Sequence, residues 1–231
     1  MKYSLLGMLI LLNQIFFSEP VFSQTAANSE TAVAVARQKF YEGRDLESKN
    51  RLDEAGTYYS EAAELCLDEI SRNARNEMSY VILTWTLQRQ RKYAEVIEWG
   101  DRGLRVNPHN YPLIEVMGEA YFYLEDYDRS LRCMEHYADA VPRGDRISTA
   151  YFFIGEIYRL RKKYLHADIA YTTAVRLEPN LPLWWYRLGL VMEALHEYSR
   201  AVDAFERAIR LRPAYPEASQ GLARVRKASG A

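Results

Sequence analysis

Apolar residues along this chain recur at the three- and four-residue spacing of amphipathic helices, in segments that prolines separate. The clearest segment runs from Trp185 to Pro213. Its small residues are Gly189, Ala201 and Ala208. Small side chains let two helix axes approach to about 8–10 Å, and a proline, which lacks an amide hydrogen, cannot continue a helix. The segment therefore predicts two amphipathic helices that pack on each other.

The same arrangement repeats along the chain. Pro108 and Pro142 are 34 residues apart, and Pro179 and Pro213 are 34 residues apart. The interval from Pro142 to Pro179 is 37 residues, so three residues are inserted near 143–145. A period of this length is typical of solenoids, in which each unit buries its apolar face on its neighbours.

The residues at the fixed places of this period resemble the tetratricopeptide pattern. The matching residues are Trp185, Leu188, Gly189, Ala201, Phe205 and Pro213. Met192 stands where the pattern usually has Tyr. The resemblance implies an all-α fold, an α-α superhelix (solenoid) of about five two-helix repeats followed by a C-terminal capping helix.

The resemblance also implies the domain organisation. The repeats are expected at about 36–69, 77–110, 111–144, 148–181 and 182–215. The first repeat matches least well, as is common for terminal repeats. It has Leu67 at its closing place instead of a proline, so its second helix is expected to continue toward Arg72. Residues 216–231 are expected to form a capping helix and a tail whose charged residues wet the exposed end of the solenoid.

Residues 1–23 have the features of a secretory signal peptide. Lys2 is followed by an apolar run, and Val21 and Ser23 suit positions −3 and −1 of a cleavage site before Gln24. The alternative is an uncleaved membrane anchor, but the run is too short and too polar in its middle for a span of about 20 residues. We therefore expect an exported protein of a bacterial periplasm or cell envelope, with secretion as a further option.

A short lead-in is expected to follow the signal peptide. Residues 24–29 are small and polar, which predicts disorder, and the helical pattern begins near Glu30. Residues 24–35 therefore comprise a lead-in and the start of the first helix.

Charge and composition argue against nucleic-acid binding and against catalysis. The chain has 30 basic and 31 acidic residues and a net charge of −1, unlike a general nucleic-acid binder. The four histidines fall at different places of the repeat and do not readily converge on one metal ion. No phosphate loop, HExxH motif or GxSxG elbow is present. We predict no enzyme activity, no cofactor and no metal site.

The two cysteines, Cys66 and Cys133, are not expected to form an intramolecular disulfide. They lie two repeats apart, on the order of 20 Å when each layer of helices adds ~10 Å. A disulfide needs Cα atoms within about 7 Å. Two small apolar residues are the simpler interpretation, and an intermolecular bridge stays open.

In tetratricopeptide proteins the first helix of each repeat lines a concave groove, and the resemblance places candidate partner-binding residues there. These are Phe40, Met78, Val81, Trp85, Arg89, Glu115, Glu119, Phe122, Tyr123, Phe152, Glu156, Arg159, Tyr186 and Leu190. The same face also holds Arg44, Gln88 and Glu193. The groove is expected to be aromatic with an acidic middle, and so to prefer a partner with some positive charge. An alternative for any single aromatic is packing against the neighbouring repeat.

The sequence predicts an interaction scaffold for a protein or peptide segment, and leaves its oligomeric state open. One alternative is a carrier of a small apolar ligand or an accessory subunit of a solute-uptake system, which a closed, deep apolar cavity would favour. The other alternative is an enzyme. A basic edge, formed by the turns within the repeats, is interpreted as solvated rather than as a membrane contact. Its residues are Lys49, Arg51, Arg91, Lys92, Arg161, Lys162 and Lys163.

Overall fold

The computed structural model describes the backbone of residues 21–230 and the side chains of residues 32–230. All regular secondary structure in this part is helical, as predicted. The eleven helices are α1 (Val21–Ser48), α2 (Leu52–Arg72), α3 (Glu77–Arg89), α4 (Tyr93–Val106), α5 (Tyr111–Tyr123), α6 (Tyr127–Ala140), α7 (Ile147–Leu160), α8 (Tyr164–Leu177), α9 (Pro182–Ala194), α10 (Tyr198–Leu211) and α11 (Pro216–Ser229).

The helices stack in chain order into a solenoid. Each helix packs on the next, and the odd-numbered helices α1, α3, α5, α7, α9 and α11 also contact one another in sequence. Within the described residues, the even-numbered helices make no such contacts with each other. The odd-numbered helices therefore lie on the inner, concave side of the curve, and the even-numbered helices lie on the outside.

Glycines on the inner helices α1, α5, α7 and α9 set the close approach of these helices to their outer partners. A Cβ atom added at Gly189 in α9 would lie 2.7 Å from the ring of Phe205 in α10. Gly155 and Tyr171 stand in the same relation at 2.7 Å. Phe205 is fully buried, and its ring also meets Gly221 of α11. The expected close approach at Gly189 is confirmed.

The structure departs from the sequence analysis at the start of α1. This helix begins at Val21, so the disorder predicted for 24–29 is wrong. The reason is that residues 21–42 contain neither glycine nor proline and are rich in alanine, the best helix former. The expected extension of α2 is confirmed, since it ends at Arg72.

The predicted signal peptide, residues 1–23, lies outside the described residues except for its last three. Among the helices that the structure describes, none combines the length and the apolar character needed to cross a bilayer.

The connection between α6 and α7 is the longest of those between repeats. It comprises 141–146, whereas 73–76, 107–110, 178–181 and 212–215 form the other connections. The three residues that the sequence analysis placed near 143–145 lie in this loop. The extra length brings Arg146, the residue before α7, to the concave face.

Candidate functional site

The fourteen candidate residues all lie on the inner helices, but their exposure differs. Five are buried, namely Phe40, Val81, Glu115, Glu119 and Glu156. Six are partly buried, namely Trp85, Phe122, Phe152, Arg159, Tyr186 and Leu190. Three are exposed, namely Met78, Arg89 and Tyr123. The side chains accessible to a partner are therefore chiefly the aromatic and basic ones.

Two of the buried residues are part of the apolar core. Phe40 and Val81 belong to the cluster that joins α1 to α5. The ring of Phe40 lies 5.8 Å from the ring of Trp85 and 6.1 Å from that of Tyr59. These contacts make Phe40 a support behind Trp85, with only part of its ring facing the concave side.

The aromatic candidates pack against aromatic neighbours and also keep exposed surface. Phe152 stacks on Trp184 of the next repeat, with ring centroids 5.0 Å apart. Tyr123 stacks on Tyr93 at 4.7 Å, yet is 51% exposed. The interpretation that single aromatics pack against a neighbouring helix therefore holds for part of each ring. These contacts also hold the rings in place.

The acidic middle of the groove is a buried ion-pair cluster. Glu115 and Glu119 in α5 are only 2% and 5% exposed. Arg146 donates from Nε to Glu115 at 3.2 Å and from Nη2 to Glu119. Gln88 of α3 donates its amide hydrogen to the other oxygen of Glu119. The cluster joins repeats two and three to the loop before α7, and it satisfies the carboxylates from within the protein.

Burial is the largest cause of a raised pKa at Glu115, and the neighbouring carboxylate of Glu119 adds to it. Arg146 opposes the shift but does not cancel it, so the pKa of Glu115 lies well above its usual value. Two carboxylates that share one guanidinium in a poorly solvated place cannot both ionise easily.

Glu156 forms a second buried cluster one repeat further on. Arg159 donates to its Oε2 at 2.8 Å, and the Tyr171 hydroxyl donates to its Oε1. Arg187 of α9 forms an ion pair with Oε1 at 3.0 Å. Glu156 is 5% exposed, and its oxygens face protein donors. The expectation of an accessible acidic groove is therefore corrected, because arginine and tyrosine side chains cover these carboxylates.

The concave face of the first three repeats contains an open pocket of about 280 Å³. It is lined by Phe40, Tyr41, Arg44, Trp85, Gln88, Arg89, Glu115, Glu119, Asp145 and Arg146. Arg44 lies over the rings of Phe40 and Tyr41, 5.9 Å from each centroid. Arg89 donates from Nε to Glu47 at 2.9 Å. The pocket thus combines aromatic surface with three guanidinium groups.

Sequence reasoning missed Arg146 as a residue of this site. The repeat register predicts binding residues on helices only, whereas Arg146 lies in a loop. The 37-residue interval between Pro142 and Pro179 was the signal that could have identified Arg146, because inserted residues lengthen a loop and let its side chains contact more distant residues.

The basic edge is largely neutralised by nearby acids. Lys49, Arg51, Lys92 and Arg161 form ion pairs with Asp45, Glu54, Glu95 and Asp128. Arg91, Lys162 and Lys163 make no ion pair with any residue that the structure describes. These pairs fit the interpretation of the edge as a set of solvated turns.

The remaining chemistry-bearing residues form no further site in the described chain. Cys66 and Cys133 are both free. Burial raises their thiol pKa values to about 12 and about 11, which makes both weak nucleophiles at neutral pH. No three His, Cys, Asp or Glu side chains between residues 32 and 230 are grouped so as to hold a metal ion.

Comparison with known sequences identifies the repeats. Residues 148–181 and 182–215 each match a sequence profile described as Tetratricopeptide repeat. Two proteins of Schizosaccharomyces pombe are similar in sequence. Anaphase-promoting complex subunit 3 is 22% identical over 164 residues, and Superkiller protein 3 is 28% identical over 132 residues. These matches span 71% and 53% of this chain but only 24% and 9% of the relatives.

Solved structures share the fold. PilF of Pseudomonas aeruginosa superposes with a TM-score of 0.68 at 13% identity, covering 88% of this chain and 86% of PilF. MamA of Desulfovibrio magneticus RS-1 gives 0.60 at 16% identity, covering 77% and 95%. YrrB, described as a TPR protein with an unusual peptide-binding site, gives 0.55 at 18% identity, covering 85% and 96%. This chain is therefore an all-α solenoid that contains tetratricopeptide repeats.

Proposed function

We propose that this chain is an exported, non-catalytic scaffold that binds a protein or peptide segment on its concave face. The observation that carries the proposal is the row of aromatic side chains with exposed surface on consecutive inner helices. The row consists of Trp85, Phe122, Tyr123, Phe152 and Tyr186. Large aromatics supply most of the anchoring free energy at protein interfaces.

The row suits a segment that runs along the solenoid. Each ring packs on a neighbour, so little side-chain freedom is lost when a partner binds, and this preorganisation favours affinity. A helical or extended segment can contact several rings in turn. The peptide-binding site in the name of YrrB, which has a similar fold, supports the same kind of partner.

A carrier of a small apolar ligand would need a closed, apolar cavity. The pocket described above is open, and arginine and acidic side chains form much of its lining. This supports a scaffold over a carrier.

Export to a periplasm or cell envelope is part of the proposal and rests on residues 1–23. The experiment is an intact-mass measurement on the protein purified from its native host. We expect a mature chain that begins at or near Gln24. A mass that includes residues 1–23 would contradict soluble export and favour a membrane anchor.

Partner capture with paired variants tests the binding face. Trp85→Ala with Phe152→Ala removes two anchors, each worth about 2 kcal/mol though not additively. Lys162→Glu with Lys163→Glu reverses two charges on the basic edge. Circular dichroism must first show that both variants are folded.

We expect the anchor variant to lose partners that the wild type captures and the edge variant to retain them. If the anchor variant captures partners normally and the edge variant does not, the basic edge is the binding surface and the proposal is wrong.

A further inference from the structure

The charged groups of the concave pocket differ in how far they reach solvent. The Glu115 and Glu119 carboxylates are 3% and 7% exposed as side chains, whereas Arg146, their partner, is 49% exposed. Arg89 is 44% exposed and Arg44 is exposed. A ligand entering the pocket therefore meets guanidinium groups first.

Arg44 is available for an ion pair with a ligand. It makes no ion pair with any side chain between residues 32 and 230. Instead its guanidinium lies over the rings of Phe40 and Tyr41. A cation over an aromatic face is attracted to the ring, which holds it in place without using all its N–H donors.

Arg89 and Arg146 also keep free donors. A guanidinium carries five N–H donors in a planar fork. Arg89 uses Nε and Nη2 on Glu47, and Arg146 uses Nε and Nη2 on the α5 carboxylates. Among the described residues, none accepts a hydrogen bond from the Nη1 group of either guanidinium, and both side chains line the same pocket.

Asp145 differs from the other carboxylates of the pocket lining, Glu115 and Glu119, because it is exposed. It precedes Arg146 in the loop between α6 and α7. Removing its charge should therefore favour an anionic ligand, and this gives the test a variant with the opposite sign.

We propose that this pocket binds an acidic peptide segment. Side-chain carboxylates of the segment pair with Arg44, Arg89 and Arg146, and an adjacent apolar side chain packs on Trp85. The inference rests on the proposed function and adds the charge of the partner. It reverses the sequence-based expectation of a positively charged partner, since that expectation treated the buried carboxylates as accessible.

The test compares two synthetic peptides with acetylated and amidated ends. One alternates Glu and Leu, and the other has Lys in place of every Glu. Fluorescence anisotropy measures their binding to the full chain. We expect the Glu peptide to bind at least about tenfold more tightly, since guanidinium groups form charge-assisted hydrogen bonds with carboxylates and repel ammonium groups. Raising the salt to about 0.5 M should weaken its binding.

Three variants locate the charge effect. Arg44→Glu should weaken binding of the Glu peptide about tenfold, as a lost charge-assisted hydrogen bond predicts. Asp145→Asn should strengthen it. Arg105→Glu is the matched control, because Arg105 is an exposed arginine of the outer helix α4 and lies outside the pocket lining. This control should bind like the wild type.

Three results would overturn the inference: equal or tighter binding of the Lys peptide, binding of neither peptide, or an equal effect of Arg44→Glu and Arg105→Glu. The inference would also be overturned if the Glu peptide bound only with a free C-terminus, because the pocket would then recognise the terminal carboxylate and not the side-chain carboxylates. Failure of the proposed function has a different signature. In that case the Trp85 and Phe152 variant still captures the native partner, whatever the two peptides do.

Discussion

Repeats two and three differ from repeats four and five in how their two helices pack, although all four repeats are pairs of helices. In repeats four and five a glycine on the inner helix faces an aromatic ring sixteen residues later on the outer helix. In repeat two these places hold Thr84 and Gly100, and Met117 of the next repeat fills the space beside Gly100. In repeat three Gly118 faces Met134.

The two regions also differ in what they present to solvent. The regular repeats are those that match the family profiles, and both regions carry aromatic rings on their inner faces. Repeats two and three supply five of the ten residues that line the open pocket, the first repeat supplies three and the loop after α6 supplies two, whereas repeats four and five supply none. The glycine and aromatic residues that make repeats four and five recognisable are packing residues, whereas the pocket lining comes from other parts of the solenoid.

The largest expected effect tests the regular region. Phe205→Ala removes a fully buried ring that two glycines enclose, so little can collapse into the space. We expect a loss of about 3–5 kcal/mol in the free energy of unfolding. Urea denaturation measures it. Leu165→Ala, a change at a 67% exposed residue of α8, should stay within about 0.5 kcal/mol. Similar losses in both would contradict the role of Phe205 as a spacer.

A pair of glycine changes should give effects of opposite sign. Gly189→Leu places new atoms against the Phe205 ring and should destabilise by about 1–3 kcal/mol. A Cβ atom added at Gly56 in α2 would have no neighbouring atom within 4 Å, so Gly56→Ala should stabilise by up to about 1 kcal/mol through helix propensity. Thermal unfolding measures both. An unchanged transition for Gly189→Leu would mean that the repeat register is wrong.

The irregular region should respond to pH through Glu115. Its folded-state pKa is raised, chiefly by burial, so the folded protein binds a proton that the unfolded chain releases near its usual pKa of about 4.3. The contribution of this group is fully present below that pH and is lost as pH rises through the folded pKa. Glu115→Gln should therefore gain stability relative to wild type as the pH is raised from 4 to about 8.

Denaturation at several pH values measures this gain, and Glu64→Gln at an exposed place of α2 is the control. A stability difference between wild type and Glu115→Gln that does not change with pH would contradict the raised pKa.

The sequence was sufficient for the fold because the relevant signals are local. The spacing of the prolines and the positions of Gly155 and Gly189 identify each helix pair without any knowledge of the repeats that pack on it. Burial of Glu115 and Glu119 was not predictable in the same way, because it depends on a loop residue 27 places further along the chain from Glu119. The repeat register predicts which helix face carries a carboxylate. Whether a ligand can reach that carboxylate depends on an arginine that is distant in sequence.

The smallest expected effect concerns a feature that both regions share. The turn within each repeat contains one residue with φ between 57° and 61°, namely Asn50, Arg91, Glu125, Lys162 and His196. This left-handed conformation is unfavourable for most side chains and is tolerated by asparagine. Asn50 already satisfies the preference in the first repeat, whereas Glu125 and Lys162 do not.

Lys162→Asn should therefore stabilise the chain by about 0.5–1 kcal/mol relative to Lys162→Ala, because both remove the charge but only asparagine relieves the backbone. Thermal unfolding of the two variants measures the difference. Glu125→Asn against Glu125→Ala should give the same gain in the irregular region, since the turn geometry is the same. Unequal gains would show that the irregular packing of repeats two and three extends into their turns, which the shared φ values argue against.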